Sequence, residues 1–153
     1  MVFVTELRST AQRKADVVRA LERNADIWLA TASASGQPHL IAAASWWDGS
    51  RLVIATRQAS PTARNLRSNK RGRVALGTPE DVVMINVTAL DWSAVGEAQP
   101  ELKGGFVAAA GWDPAEEGSD WVFFRLQPTE VQAYRGYGEL KGRTVMRESR
   151  WLT

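Results

Sequence analysis

The sequence predicts a mainly β fold, with six to seven mostly antiparallel strands in a Greek-key-like barrel and a few covering helices. Three observations predict it. Short apolar runs with period-two alternation recur along most of the chain. Several are joined by tight turn signals, Ser35-Gly36-Gln37 and Asp48-Gly49, and strands joined so closely can only pair antiparallel. The 153 residues contain no internal repeat or low-complexity linker, so residues 1–153 read as one domain.

The elements follow in order. Leu7, Ala11, Ala15, Val18 and Leu21 recur at helical steps, which predicts an amphipathic helix over about 6–24 with those residues as its apolar stripe. Asn24 and Asp26 can end it. Strands follow at Ile27–Ser33, with Ile27, Leu29 and Thr31 on one face, and at Pro38–Trp47, paired as a hairpin. Asp48-Gly49 turns the chain into a third strand, Arg51–Thr56. Ser60 is an N-cap residue and Pro61 suits the first helical position, so a short helix starts there. Arg73–Thr78 and Asp81–Trp92 are the next strands. Val82-Val-Met-Ile85 is apolar on both faces, which marks a central strand. Glu97–Trp112 reads as a helix weakened by Gly104 and Gly105. Trp121–Leu126 is a sixth strand, interrupted by Pro128 and resumed over Glu130–Tyr134. The barrel thus occupies about 27–134, and the tail from Gly136 carries no clear pattern.

Composition bounds the chemistry. Hydrophobic residues at 44% and charged residues at 24% are those of an ordinary globular protein. With no cysteine there is no disulfide, thiolate ligand or Cys nucleophile, which fits a reducing cytoplasm. No apolar run is long enough for a membrane span, and MVFVTELRST lacks the pattern of a signal peptide. His39 is the lone histidine. A transition-metal site is therefore not expected, and no Ser-His-Asp spacing supports a triad. His39 reads as a hydrogen-bonded strand residue or a contact behind a cofactor.

Charge is segregated although the net value is only +2. Arg57–Arg73 carries six basic residues and no acid, whereas Glu97–Asp120 carries six acids against Lys103. A basic strand-turn-helix segment with Ser60 and Thr62 at the helix start suits a phosphate, because free N–H groups and a partial positive charge converge there. The plain alternative is that Arg64, Arg67 and Arg71 form a solvated helix face. Nucleic-acid binding by Arg57–Arg73 is another, but no base-reading motif accompanies it and the basic excess is local.

The order Ile27-Trp-Leu-Ala-Thr31, Gly36, Pro38-His39, Trp47-Asp48-Gly49, Leu52–Thr56, Ser60-Pro-Thr-Ala-Arg-Asn-Leu66 and Arg73-Val74 resembles the pyridoxamine 5′-phosphate oxidase-like superfamily. These are flavin-binding split β-barrels. The resemblance is carried mainly by residues 26–90. It implies a homodimer with FMN, or alternatively the deazaflavin coenzyme F-420, at each end of the subunit interface. It places the cofactor phosphate at Thr56, Arg57, Ser60, Thr62, Arg64 and Asn65. The ring lies along the second strand near Leu40, Ala42 and Ala44, where small side chains let it approach the backbone. The vitamin-processing oxidases carry basic residues on that strand; Leu40–Trp47 has none. They also end in a substrate-phosphate segment that Arg150–Thr153 is too short to supply. The implied activity is therefore hydride transfer between cofactor and a small molecule other than pyridoxamine phosphate. The cofactor carries that chemistry, which accounts for the missing acid–base constellation. A non-catalytic flavin or haem-like ligand carrier is the alternative on the same barrel.

Seven tryptophans are many for this length. Trp28, Trp92 and Trp121 fall within strands, where core or interface packing is expected. Trp46 and Trp47 point to opposite faces, so only one can be in the core. Trp112 and Trp151 could cap a ring or line a pocket.

Overall fold

In the computed structural model, which describes residues 6–23 and 25–153, the first hairpin lies where the turn signals place it. Strands β1 (Asp26–Ala32) and β2 (Pro38–Trp47) pair antiparallel from Asp26↔Ala44 to Ala32↔Pro38. Gly36 takes the left-handed conformation that the intervening turn needs, with φ +86°. Strand β3 (Leu52–Arg57) pairs with β2 over three residues, Ser45↔Ile54 to Trp47↔Leu52. It then leaves β2. Helix α2 (Pro61–Asn69) leads to β4 (Arg71–Thr78), which lies beside β1. Three meandering strands and a fourth returning beside the first make a Greek key.

Strands β5 (Asp81–Ala94) and β6 (Trp121–Tyr134) complete the barrel. The order β3-β2-β1-β4-β5-β6 is closed by β3 against β6, from Leu52↔Leu126 to Arg57↔Trp121. All pairings are antiparallel, and β5 is interior as its two-faced apolar run predicts. Two short strands, β7 (Thr144–Arg147) and β8 (Arg150–Trp151), extend the sheet beyond β6. The described residues thus form eight strands, six of them in the barrel as expected and two beyond it.

Pro128 does not interrupt β6, contrary to the sequence reading. It lies between the residues that pair with β3, which end at Leu126, and those that pair with β7, which begin at Val131. It also sits at a register shift opposite Asn86 and Val87. A missing N–H costs little at a bulge whose other edge is unpaired.

Helix α1 (Thr10–Arg23) is shorter than 6–24 and buries a different face. Its buried residues are Arg13, Val17 and Leu21, whereas Ala11 and Ala15 are exposed and Leu7 precedes the helix at 54% exposure. The apolar stripe fails because Arg13 belongs to the packed face. Its guanidinium donates to the carbonyls of Ala133, Glu139 and Lys141 at 3.0, 2.9 and 3.2 Å, so its buried donors are satisfied. Asn24, read as a helix end, lies outside the described residues, and Asp26 opens β1 instead.

Two cores result. The barrel interior joins inward residues of every barrel strand to Val17 and Leu21 of α1 and to Ala63 and Leu66 of α2. Each fully buried Leu or Ile there contributes about 1.5–3 kcal/mol. The second core lies outside the barrel, where helix α3 (Pro100–Ala110) sets Phe106 on Val53 and Phe123. Trp47 is in the barrel core and Trp46 packs against α3, so the tryptophan pair divides as expected. The helix reading is correct in kind, but a 3-10 turn (Val95–Glu97) precedes α3 and Gly111 ends it with φ +79°.

Candidate functional site

The barrel is split where β2 and β3 part. Beyond Ser45, the edge of β2 from Pro38 to Ala44 has no strand partner among the described residues on the side facing away from β1, while β3 continues along β6. The backbone N–H of Ser45 donates to the Ala25 carbonyl on the β1 side. Antiparallel alternation then directs the N–H and C=O groups of Leu40, Ala42 and Ala44 into the split. Their side chains share the outer face of the sheet: Leu40 is 63% exposed, Ala42 is exposed and Ala44 is half-buried. The free edge is narrow, apolar in its side chains, and lined with backbone donors and acceptors. A flat ring bearing polar atoms on its rim matches that edge.

On the β3–α2 side, the predicted phosphate residues divide into two kinds. Thr56, Thr62 and Asn65 are buried, at 7%, 1% and 8% exposure. Asn65 donates from Nδ2 to Thr31 Oγ1 at 3.0 Å, which ties α2 to β1. Thr56 Oγ1 and Ser60 Oγ lie 3.0 Å apart. Ser60 caps α2 by accepting from the Ala63 N–H at 3.1 Å, worth about 1 kcal/mol. Pro61 has no N–H, and the Arg64 N–H bonds the Ser60 carbonyl. Among the described residues, the Thr62 N–H is therefore the unpaired donor of the first turn.

Arg57 and Arg64 are exposed. Arg57 pairs with Asp120 at 2.8 Å and lies 5.1 Å from the Trp121 ring centroid. Both partners of that ion pair are more than half exposed, so water and salt weaken it. Arg64 makes no ion pair among the described residues. An anion at this turn would meet the Thr62 N–H, the Arg64 guanidinium and the positive end of α2. The basic segment is not one solvated helix face: Arg67 donates to the Gln58 carbonyl at 2.9 Å, and Arg71 opens β4.

Other expected residues fall elsewhere. The His39 ring is half-buried and makes no hydrogen bond among the described residues. Trp112 packs edge-on to Phe106 and Trp121 at 5.9 and 5.0 Å, and Lys14 covers Trp151. The indole beside the candidate phosphate turn is Trp121. Trp28 and Trp92 are 54% and 39% exposed, so neither is a core residue. Among the described residues no group of three or more His, Cys, Asp or Glu is placed to hold a metal, and no helix is long and apolar enough to cross a membrane.

Sequence reasoning missed the buried ion cluster that joins α1 to the tail. Glu139 is 0% exposed. It accepts from Arg8 Nη2 at 2.6 Å and from the backbone N–H groups of Arg8 and Arg135 at 2.9 and 2.8 Å. Burial acts to raise its carboxyl, but these hydrogen bonds outweigh burial and hold it at about 2. No local signal marks it; an acid between Gly138 and Leu140 reads as surface.

The sequence matches no curated protein. Among solved structures, an F420 reductase superposes with a TM-score of 0.60 at 21% identity, covering 74% of this chain and 93% of that one. A conserved hypothetical protein from Mycobacterium tuberculosis gives 0.67 at 19% identity, covering 88% and 92%. A heme binding protein from Mycobacterium smegmatis gives 0.61 at 18% identity, covering 92% of this chain and 58% of that one. Identities this low establish the shared fold alone. The family described as pyridoxamine 5′-phosphate oxidase matches residues 14–135, which cover α1 from Lys14 onward and all six barrel strands. The chain belongs to the pyridoxamine 5′-phosphate oxidase family of split β-barrels.

Proposed function

We propose that this protein is a homodimeric, cytoplasmic oxidoreductase that binds FMN or coenzyme F-420 and transfers hydride between it and a small molecule. The observation that carries the reading is the unpaired β2 edge at Leu40, Ala42 and Ala44, supported by the capped, cationic start of α2 that follows β3, the strand that parts from this edge. The bound cofactor supplies the hydride chemistry. The protein supplies position. Backbone groups of Leu40, Ala42 and Ala44 orient the ring, while Arg64 and the Thr62 N–H take the phosphate. Arg57 adds charge once Asp120 releases it, and Ser60, Thr56 and Asn65 fix the turn. Leu40–Trp47 contains no basic residue, which argues against pyridoxamine phosphate as the substrate. Only part of the Arg57–Arg73 segment is a free cationic surface, so a small-molecule partner is favoured over nucleic acid.

Titration with FMN and with coenzyme F-420, followed by cofactor fluorescence, tests this reading. Saturable binding of one is expected, and Arg64→Ala should weaken it by about 1.5–3 kcal/mol, tenfold or more. Undiminished affinity in that variant would remove Arg64 from the site; binding of neither cofactor would remove the function. The competing reading is a non-catalytic flavin or haem-like carrier, for which the heme binding neighbour provides a precedent in fold. Cofactor binding without turnover of any reduced or oxidised partner would favour it.

A further inference from the structure

Strands β1 and β4 pair over three residues, from Trp28↔Ala75 to Ala30↔Arg73, and then part. Beyond Ala30, β1 runs on beside β2 to Ala32, while the first residues of β4, from Arg71, lie beside β5. Asn69 bridges the far end of the gap. Its Nδ2 donates to the Ala32 carbonyl at 2.7 Å, and its Oδ1 accepts from the Arg71 N–H at 3.1 Å. The opening that results has a volume of about 840 Å³, within the range of small-molecule sites.

Its lining is cationic. Arg71 and Arg73 stand two residues apart on the outer face of β4, so their Cα atoms are about 7 Å apart, and both are exposed. Among the described residues the Arg71 side chain has no partner, and Arg73 has one weak contact, from Nη2 to Met84 Sδ at 3.6 Å. Register sets a neutral polar residue beside each, Thr88 opposite Arg71 and Asn86 opposite Arg73. Both are half-buried, and neither side chain is hydrogen-bonded among the described residues. No acid lines the cavity; Glu130, on the far side of Asn86, is hydrogen-bonded to Gln132.

Two guanidinium groups without a countercharge favour an anion. Each presents paired N–H donors that match the oxygens of a carboxylate or a phosphate, and the Thr88 hydroxyl and Asn86 amide add neutral donors. Ala30, Ala32 and Val87 give the same opening an apolar wall for a hydrocarbon body. We infer that the gap between β1 and β4 is a binding site for a small organic anion, a carboxylate or phosphate ester held by Arg71 and Arg73. The assignment stands apart from the flavin reading, since it uses β4 and β5 rather than the free edge of β2 or the start of α2.

Benzoate and phenyl phosphate are the probes, with benzyl alcohol as the neutral control, titrated against the full chain by ligand-observed NMR and calorimetry. At least one anion should saturate at millimolar concentration, and the tighter of the two tells a carboxylate site from a phosphate-ester site. Benzyl alcohol should bind about tenfold more weakly. Arg71→Gln and Arg73→Gln, at exposed positions, should each weaken the anion about three- to tenfold with an unchanged melting temperature. Thr88→Glu, which sets a carboxylate opposite Arg71, should weaken it by a similar factor. Arg64→Ala should leave the affinity unchanged, because Arg64 lies at the α2 turn. No saturable binding, equal affinity for benzyl alcohol, undiminished affinity when both arginines are replaced, or loss of binding in Arg64→Ala would each overturn the assignment. So would a single-stranded oligonucleotide that binds more tightly than either probe and loses affinity steeply with salt, which would make Arg71 and Arg73 part of a nucleic-acid surface.

Discussion

At the scale of single residues, Glu139 couples stability to pH. Its carboxyl sits at about 2 against an ordinary 4.5. A folded-state value below the unfolded one adds stability that is complete above about pH 4.5 and is lost as pH falls through about 2. The shift corresponds to about 3 kcal/mol. Glu139→Gln should cost about 3 kcal/mol at pH 7, since half-buried Arg8 then keeps only Asp16 as its countercharge among the described residues. Urea titrations at pH 7 and pH 3 would measure both effects. The variant should also lose less stability than wild type between those pH values. Arg13 carries a related lesson: no spacing rule reveals that an arginine will be buried on three carbonyls, because its partners come from 120 residues and more along the chain.

At the scale of elements, what was legible followed from local chemistry. The bounds of β2 are read off because turn signals flank it, and α2 because Ser60 and Pro61 fix its start independently of tertiary context. What was not legible depended on distant partners. Pro128 reads as a break until both neighbours of β6 are known, and β7 and β8 exist only as additions to β6. The candidate site splits the same way. Its Ser60-capped turn into α2 is local and legible, whereas the free β2 edge arises because β3 leaves for β6. Helix α3 gives a further prediction. Gly105 looks like a weakness, yet a Cβ there would come within 2.2 Å of the Trp46 ring. Alanine would gain up to about 1 kcal/mol of helix propensity but lose about 1–3 kcal/mol to overpacking. Gly105→Ala should therefore lower the denaturation midpoint by urea, and Gly104→Ala, with open space around it, should raise it.

At the scale of the whole molecule, the outer face of β1 and β2 presents Trp28 and Leu40 at 54% and 63% exposure, with Ala42 between them in register. An apolar patch of this kind is where a second copy would dock. Sedimentation at micromolar concentration should give a dimer, and Trp28→Glu should convert it to the 16.9 kDa monomer; a monomeric wild type would remove the homodimer from the proposed function. The closing of β3 by β6 has one more consequence, for the order in which the chain can fold. Arg57 waits for Trp121, so a nascent chain ending before residue 121 has β3 joined to β2 by three residues and one long edge of β5 bare. Such edges template aggregation, and non-local closure places folding on the order of milliseconds to seconds. Refolding yield should accordingly fall as protein concentration rises, with the loss set during the interval before the last barrel strand arrives.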